Sequence, residues 1–118
     1  IATSRNQPTL IFDEIDTGVS GSVADKMGSV ICAMGEFMQV FAITHLPQVA
    51  AKGSAHYMVS KSIDPESSKA VSTIKKLSDE QRVMEVARML SGSELTDAAI
   101  ANAKSLILSS SQTSLRRK

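Results

Sequence analysis

The sequence is poor in the residues that disulfide scaffolds, zinc sites and base-stacking surfaces require. Its 118 residues include one cysteine, Cys32, and no tryptophan, and aromatic residues make up 3% of the chain. A single cysteine excludes an internal disulfide framework and a multi-cysteine zinc site, and it fits a reducing compartment. The scarcity of aromatic side chains argues against a stacking surface for single-stranded nucleic acid.

Long apolar runs and an excess of one charge are also missing. Charged residues or His interrupt every apolar run before the roughly 20 residues that a membrane span needs, so we expect no membrane partner. A formal net charge of +1 argues against a generally basic surface that coats nucleic acid. The N-terminus has neither an initiator Met nor the apolar core of a signal peptide. We therefore expect a cytoplasmic fragment of a longer protein.

Two short apolar runs with a helical pattern between them organise the first half of the chain. Residues 9–12 and 40–43 lack polar alternation, which is typical of strands buried on both faces. The helical pattern follows a good N-cap, Ser20, and its apolar stripe consists of Val23, Met27, Val30, Ile31 and Met34. Strand, crossover helix and strand form the unit of a parallel sheet, so the sequence predicts an α/β fold.

The second half of the chain is first β-prone and then helical. Residues 56–61 and 70–77 favour strands, and the polar segment between them predicts a hairpin at a sheet edge. Two helices are expected next, one that begins with a capping box at Ser78 and a second over residues 95–108. The Ser-rich and then basic residues 109–118 predict a disordered tail.

The first predicted strand runs directly into two carboxylates, Asp13 and Glu14. Ligands of open parallel sheets bind just beyond the carboxyl ends of the strands. There, Asp13 can help to hold Mg²⁺ through the water shell of the metal, and Glu14 can accept a proton from the water that attacks the γ-phosphate of ATP. This is the Walker B arrangement of P-loop NTPases. From the dipeptide alone, acids that only solvate a loop or cap a helix are an open alternative.

Neighbouring residues add to this pattern. The loop after the acids contains Asp16, which can cap the backbone or reach another subunit, and Gly18 and Gly21, which allow positive φ and close backbone approach. The second strand ends at His45, whose imidazole can hydrogen-bond to a γ-phosphate or to the attacking water. Because both strands end at one edge of the sheet, we expect the acids and His45 to lie near each other.

Residues 9–21 and 43–50 resemble the end of the RecN family of bacterial DNA repair ATPases, which is related to the SMC proteins and the ABC ATPases. The resemblance covers about residues 8–108. It implies that residues 1–108 are the C-terminal lobe of an ABC-type P-loop NTPase head, with parallel core strands, an antiparallel edge hairpin and C-terminal helices. Residues 9–21 would hold the Walker B motif and the D-loop.

The same resemblance assigns roles to individual residues. Asp13 would be the Mg²⁺-associated acid, Glu14 the catalytic base and His45 the switch histidine that senses the γ-phosphate. The implied nucleotide-binding loop, with its acid at the interface between two heads, contains Asp16, Gly18, Ser20 and Gly21. For the full-length protein the resemblance implies ATP and Mg²⁺ as cofactors, DNA as a partner in double-strand break repair and recombination, a homodimer of heads, and a cytoplasmic, nucleoid-associated location.

The sequence contains no G-x-x-x-x-G-K-[ST] motif, whose backbone and Lys hold the β- and γ-phosphates. In the resembled family, this loop lies far upstream of the Walker B motif. We therefore expect ATPase activity in the full-length protein and none in the isolated fragment. We also expect an uncovered apolar face on the strands at residues 10–12 and 40–43, which favours self-association.

Two other functions stay open from the sequence. Residues 13–16 match the D-E-x-D motif of a helicase, although the next helicase motif is typically Ser-Ala-Thr and this chain has Ile-Thr-His at residues 43–45. The second alternative is a noncatalytic interaction module. In that case the acids only cap and solvate, and the helices from Asp79 onward bind a partner.

Overall fold

The computed structural model describes residues 8–14, 17–92 and 94–116, and the side chains of these residues up to residue 109. The described elements, in chain order, are β1 (Thr9–Asp13), α1 (Gly21–Met34), β2 (Gln39–Ile43), α2 (Pro47–Ala50), β3 (Tyr57–Ile63), β4 (Ala70–Lys76), α3 (Asp79–Ser91) and α4 (Asp97–Arg116). Strands β1 and β2 form a parallel pair, and α1 is the crossover helix that connects them. This arrangement confirms the predicted α/β class.

The parallel strand pair is covered unevenly. The strand register places Ile11 beside Phe41 and Asp13 beside Ile43, so these side chains share one face of the sheet. On that face, the exposed fractions of Ile11, Phe41 and Ile43 are 66%, 49% and 52%. The prediction of strands buried on both faces is therefore wrong for this face, because no described element packs on it. The expected uncovered apolar face is present, and self-association through it stays a prediction.

Helix α1 begins after Ser20, as predicted, but it buries a different face from the one that its apolar stripe indicates. Its buried residues are Ala24 and Gly28, and Gly28 contacts α2. Val23 and Val30, which belong to the predicted stripe, are exposed. Small residues face α2 because they let the two helix backbones approach closely.

Strands β3 and β4 form the predicted antiparallel hairpin. In the described part of the chain, the hairpin is a two-stranded sheet of its own and shares no ladder with β1 and β2. The structure therefore does not join it to the edge of the parallel sheet. One face of the hairpin carries the exposed apolar side chains Tyr57, Val59, Ile63 and Ile74.

Helices α3 and α4 pack together around the main apolar core. The buried residues of this core are Ala51, Val86, Ala87, Ala99 and Ala103. Helix α4 begins after Thr96, whose Oγ1 accepts a hydrogen bond from the Ala99 N–H at 3.0 Å. Helix α4 then continues to Arg116, well beyond the predicted end at residue 108, so most of the segment expected to be a disordered tail is helical here. None of the described helices is long and apolar enough to cross a membrane.

The start of α3 provides a test of local stability. Ser78 Oγ accepts from the Gln81 N–H at 3.3 Å, and Gln81 Oε1 accepts from the Ser78 N–H at 3.0 Å, which together form the predicted capping box. Ser78→Ala should lower the free energy of unfolding by about 1 kcal/mol. Ser20→Ala is the matched control, because Ser20 caps α1 without a side-chain hydrogen bond to the backbone. Urea unfolding should show the smaller loss for Ser20→Ala; equal losses would contradict the role of the box.

Candidate functional site

The pairing of β1 and β2 brings the predicted site residues to one edge of the sheet. Asp13 is the last residue of β1 and lies beside Ile43, the last residue of β2. The Glu14 N–H donates to the Ile43 carbonyl at 2.8 Å, so the ladder continues one residue past the strand. His45 follows Ile43 by two residues. The two carboxylates and the imidazole therefore leave the sheet at the same end, and all three side chains are exposed.

Glu14 has an unusual backbone conformation. Its φ is 51°, in the left-handed region, where a residue with a side chain carries strain on the order of 1 kcal/mol. In addition to the bond from its N–H, its carbonyl accepts from Thr17 Oγ1 at 2.9 Å and from the Thr17 N–H at 3.4 Å. Three hydrogen bonds thus hold the backbone N–H and carbonyl of Glu14, and its carboxylate is exposed.

The loop that follows is described only in part. Asp16, the predicted interface acid, lies outside the described residues. Gly18 has a φ of 77°, and a Cβ there would have no atom within 4 Å, so glycine is favoured at this position by the backbone conformation alone. Ser20 has an extended backbone before α1 and an exposed hydroxyl. A Cβ at Gly21 would lie 3.5 Å from Gln48 Nε2, which connects the start of α1 to α2.

His45 lies in a short loop between β2 and α2. In this loop, Thr44 Oγ1 accepts a hydrogen bond from the Leu46 N–H at 3.0 Å. Pro47 then opens α2, where its fixed φ suits the first helical position. The loop is short and anchored at both ends, so the placement of His45 depends on where α2 lies.

A divalent metal ion fits this edge only if the protein shares its coordination shell with other ligands. In the parts of the chain that the structure describes, no three His, Cys, Asp or Glu side chains form a group able to hold a metal ion. Mg²⁺ commonly takes one or two protein carboxylates and completes its shell with phosphate oxygens and water. The exposed carboxylate of Asp13 at the end of a strand suits that kind of site, whereas the described residues alone form no cage of protein ligands.

The sequence reasoning missed Arg82, in the first turn of α3. Its Nη2 donates to the carbonyls of Ala51 at 2.9 Å, Ala50 at 3.2 Å and Gly53, all near the end of α2. One signal was available in the sequence. A cation in the first turn of a helix opposes the helix dipole, so an arginine at that position indicates a contact elsewhere.

Burial changes the ionisation of two groups near this contact. Burial lowers the pKa of Arg82, and the nearby carboxylate of Asp79 partly opposes the effect. The pKa of His56 is also lowered, first by burial and then by the positive charge of Arg82, against an opposing effect of Glu85. Burial and the positive charge of Arg82 therefore both favour the neutral form of His56.

Comparison with known proteins identifies the family. No protein-family model matches the chain. The chain is 42% identical over 107 residues to the DNA repair protein RecN of Vibrio cholerae and 47% identical over 100 residues to that of Xylella fastidiosa strain 9a5c. The chain is homologous to the C-terminal part of RecN. The two matches cover 91% and 85% of the chain but only 19% and 18% of the RecN proteins, so the chain spans about one fifth of their length.

RecN of Haemophilus influenzae is similar to the same extent, with 43% identity over 101 residues. One solved structure, from a study of ATP-driven dimerization and DNA-stimulated activation of SMC ATPases, aligns with a TM-score of 0.56 over 76% of this chain and 52% of that one. At 19% sequence identity, this match shows the fold alone. The RecN homologue thus has the fold of part of an SMC ATPase, as the sequence predicts.

Proposed function

We propose that the chain supplies the edge of the sheet at which an ATPase head hydrolyses ATP. The head belongs to a RecN-type protein that acts in DNA double-strand break repair and recombination. The observation that carries the proposal is the register of β1 and β2. It brings Asp13, Glu14 and His45 to the same edge of a parallel sheet. The RecN relatives, named as DNA repair proteins, and the SMC ATPase fold support it. The helicase alternative has no such support.

In the proposed reaction, water attacks the γ-phosphorus of ATP, the bond to the β–γ bridging oxygen breaks, and ADP leaves. Glu14 accepts the proton of the attacking water. His45 donates a hydrogen bond to a γ-phosphate oxygen, where negative charge must be stabilised in the transition state. Mg²⁺, when bound beside Asp13, would neutralise charge on the phosphate oxygens. The hydrogen bonds to the backbone of Glu14 hold the point from which its side chain extends.

The rest of the site comes from outside this chain. The sequence contains no phosphate-binding loop, so the cradle for the β- and γ-phosphates belongs to another part of the full-length protein. In the proposed assembly, ATP lies between two heads of a homodimer. The loop of Asp16, Gly18, Ser20 and Gly21 borders the nucleotide, with Asp16 facing the second head. The full-length protein works on DNA in the bacterial cytoplasm, at the nucleoid.

A comparison of the isolated chain with the full-length protein tests this proposal. A full-length RecN protein that contains this chain should release phosphate from ATP in the presence of Mg²⁺. The isolated chain should show no turnover above background, because transfer of a phosphoryl group depends on positioning that half a site does not supply. Turnover by the isolated chain that Glu14→Gln abolishes would show that this half of the site is sufficient and would contradict the proposal.

A further inference from the structure

The residues directly after His45 are held from two sides. We call residues 47–53, which comprise α2 and the turn after it, the anchor segment. On the α1 side, Gly28 packs so closely on this segment that a Cβ there would lie 3.3 Å from Val49 Cα. Lys52 Nζ also lies 3.3 Å from Asp25 Oδ1, and the Lys52 side chain is mostly buried. The anchor segment is therefore fixed against α1 by backbone contact and by charge.

On its other side, the anchor segment contacts α3 in two ways: Ala51 is buried in the core with Val86 and Ala87, and Arg82 provides the polar contact. A helix of four residues lacks most of the donors that a longer helix would supply to the carbonyls at its end. The Ala50 carbonyl accepts from the Gly53 N–H at 3.4 Å, and carbonyls that are shielded from water need further donors. The two N–H groups of Arg82 Nη2 are shared among the carbonyls of Ala50, Ala51 and Gly53. Arg82 thus crosses from α3 to the end of α2 and replaces the hydrogen bonds that a longer helix would make.

The position of Arg82 is costly to the protein in other respects. Its guanidinium is half-buried and lies near the positive end of the α3 dipole. Among the described residues, the buried Arg82 Nε has no hydrogen-bond partner. A neutral side chain would avoid both costs. The contact with three carbonyls is therefore the feature that accounts for an arginine at this position.

We infer that Arg82 is a positioning residue for His45, because its hydrogen bonds to the end of the anchor segment fix the loop from which the imidazole reaches the edge next to Glu14. The inference rests on the proposed function, in which His45 contacts the γ-phosphate. Arg82 itself touches no reacting atom. Its effect reaches the site through the seven-residue anchor segment, whose first residue follows His45 by two positions.

The test is a double-mutant cycle in a full-length RecN protein that contains this chain. Steady-state ATPase rates give kcat and the KM for ATP of the wild type, Arg82→Met, His45→Ala and the double variant. Arg82→Met should lower kcat about 10- to 100-fold, because small displacements of a positioned group are enough for such losses. The KM for ATP should change less than about twofold, since the main phosphate contacts lie elsewhere. In the His45→Ala background, Arg82→Met should change kcat less than about twofold.

Two failures of this experiment can be told apart. A wild-type kcat in His45→Ala would contradict the proposed function itself. If His45→Ala lowers kcat and Arg82→Met lowers it by the same factor in both backgrounds, only the positioning role of Arg82 is overturned, because a general loss of structure does not depend on His45. Arg88→Met is the matched control on the same helix. Among the described residues, Arg88 forms an ion pair with Glu85, and the Arg88 side chain is mostly exposed, so kcat should not change.

Arg82→Lys provides a second route if Arg82→Met does not fold. Lysine keeps the charge and has three N–H donors, but it lacks the planar fork of arginine. The kcat of Arg82→Lys should lie between those of the wild type and Arg82→Met. If Arg82→Met cannot be measured, the kcat of Arg82→Lys should still lie below that of the wild type. Amide exchange of residue 46 and of residues 48–53, which have backbone N–H groups, should be faster than in the wild type. Unchanged exchange and unchanged kcat in Arg82→Lys and Arg82→Met would overturn the inference.

Discussion

Replacing Glu14 with Gln is expected to lower kcat for ATP hydrolysis about 10²- to 10³-fold in a full-length RecN protein that contains this chain. The amide has the same shape as the carboxylate but cannot accept the proton of the attacking water. The backbone of Glu14 is fixed by its N–H bond to Ile43 and by the two bonds from Thr17, none of which involves the carboxylate. The variant should therefore keep the loop conformation and bind ATP with Mg²⁺ about as tightly as the wild type.

Two further variants test whether the loss of kcat is specific to the Glu14 carboxylate. Glu66→Gln removes the charge of an exposed glutamate in the β3–β4 turn and should leave kcat unchanged. Asp13→Asn should raise the Mg²⁺ concentration needed for half-maximal rate, because in the proposed site Asp13 would hold Mg²⁺ through the water shell of the metal. Quenched phosphate-release assays across a Mg²⁺ titration measure both effects. A Glu14→Gln protein with a wild-type kcat would show that the base lies elsewhere.

Gly28→Val is expected to lower the free energy of unfolding by about 1–3 kcal/mol through overpacking. A Cβ at residue 28 would lie 2.9 Å from Lys52 Cγ and 3.2 Å from the Gln48 carbonyl oxygen. The carbonyl belongs to the backbone, so α1 and α2 must separate to accept the side chain. In the full-length protein, the same separation should lower kcat, because the anchor segment after His45 moves with α2.

Gly21→Ala is the control for this substitution. A Cβ at residue 21 would meet Gln48 Nε2 at 3.5 Å, which is an ordinary contact with a flexible side chain. Its effect on the free energy of unfolding should stay within about 0.5 kcal/mol. Urea unfolding of the two variants gives the comparison. Equal stability of Gly28→Val and the wild type would mean that the close approach of α1 and α2 does not occur in solution.

Local signals in the sequence predict much of this fold. The apolar runs at residues 9–12 and 40–43 mark β1 and β2, and the helical pattern between them marks the crossover that makes them parallel. Ser78 and Gln81 are three positions apart, which is the spacing of a capping box, so the box can be recognised in the sequence. The common edge of Asp13, Glu14 and His45 follows from parallel pairing, because parallel strands end on the same side.

Contacts between distant segments could not be predicted in the same way. Periodicity shows that α1 is amphipathic, but the face that it buries depends on α2, which packs on Ala24 and Gly28 and leaves Val23 and Val30 exposed. The exposed Val23 and Val30 and the uncovered face of β1 and β2 fit a chain that spans about one fifth of its RecN relatives. Arg82 was missed because its carbonyl partners lie about 30 positions earlier in the chain.

The end of the chain shows a different limit of sequence reasoning. Ser-rich composition predicts a disordered tail, yet α4 continues through residues 109–116. Serine is a moderate helix former, and elongation of an existing helix costs far less than starting one. Composition therefore indicates where a segment has few apolar contacts, but it does not by itself mark where a helix ends.

One measurement tests most directly whether ATP binds at the edge of the sheet that contains Asp13, Glu14 and His45. In a full-length RecN protein in which only this chain carries labelled histidine, His45 and His56 give two imidazole signals. Mn²⁺ can replace Mg²⁺ in the complex with ATP, and its unpaired electrons broaden signals of nearby nuclei. The proposal predicts stronger broadening of the His45 signal than of the His56 signal, because His45 follows β2 at the proposed ATP site. Equal or absent broadening of the two signals would contradict an ATP site at this edge and favour a noncatalytic interaction module.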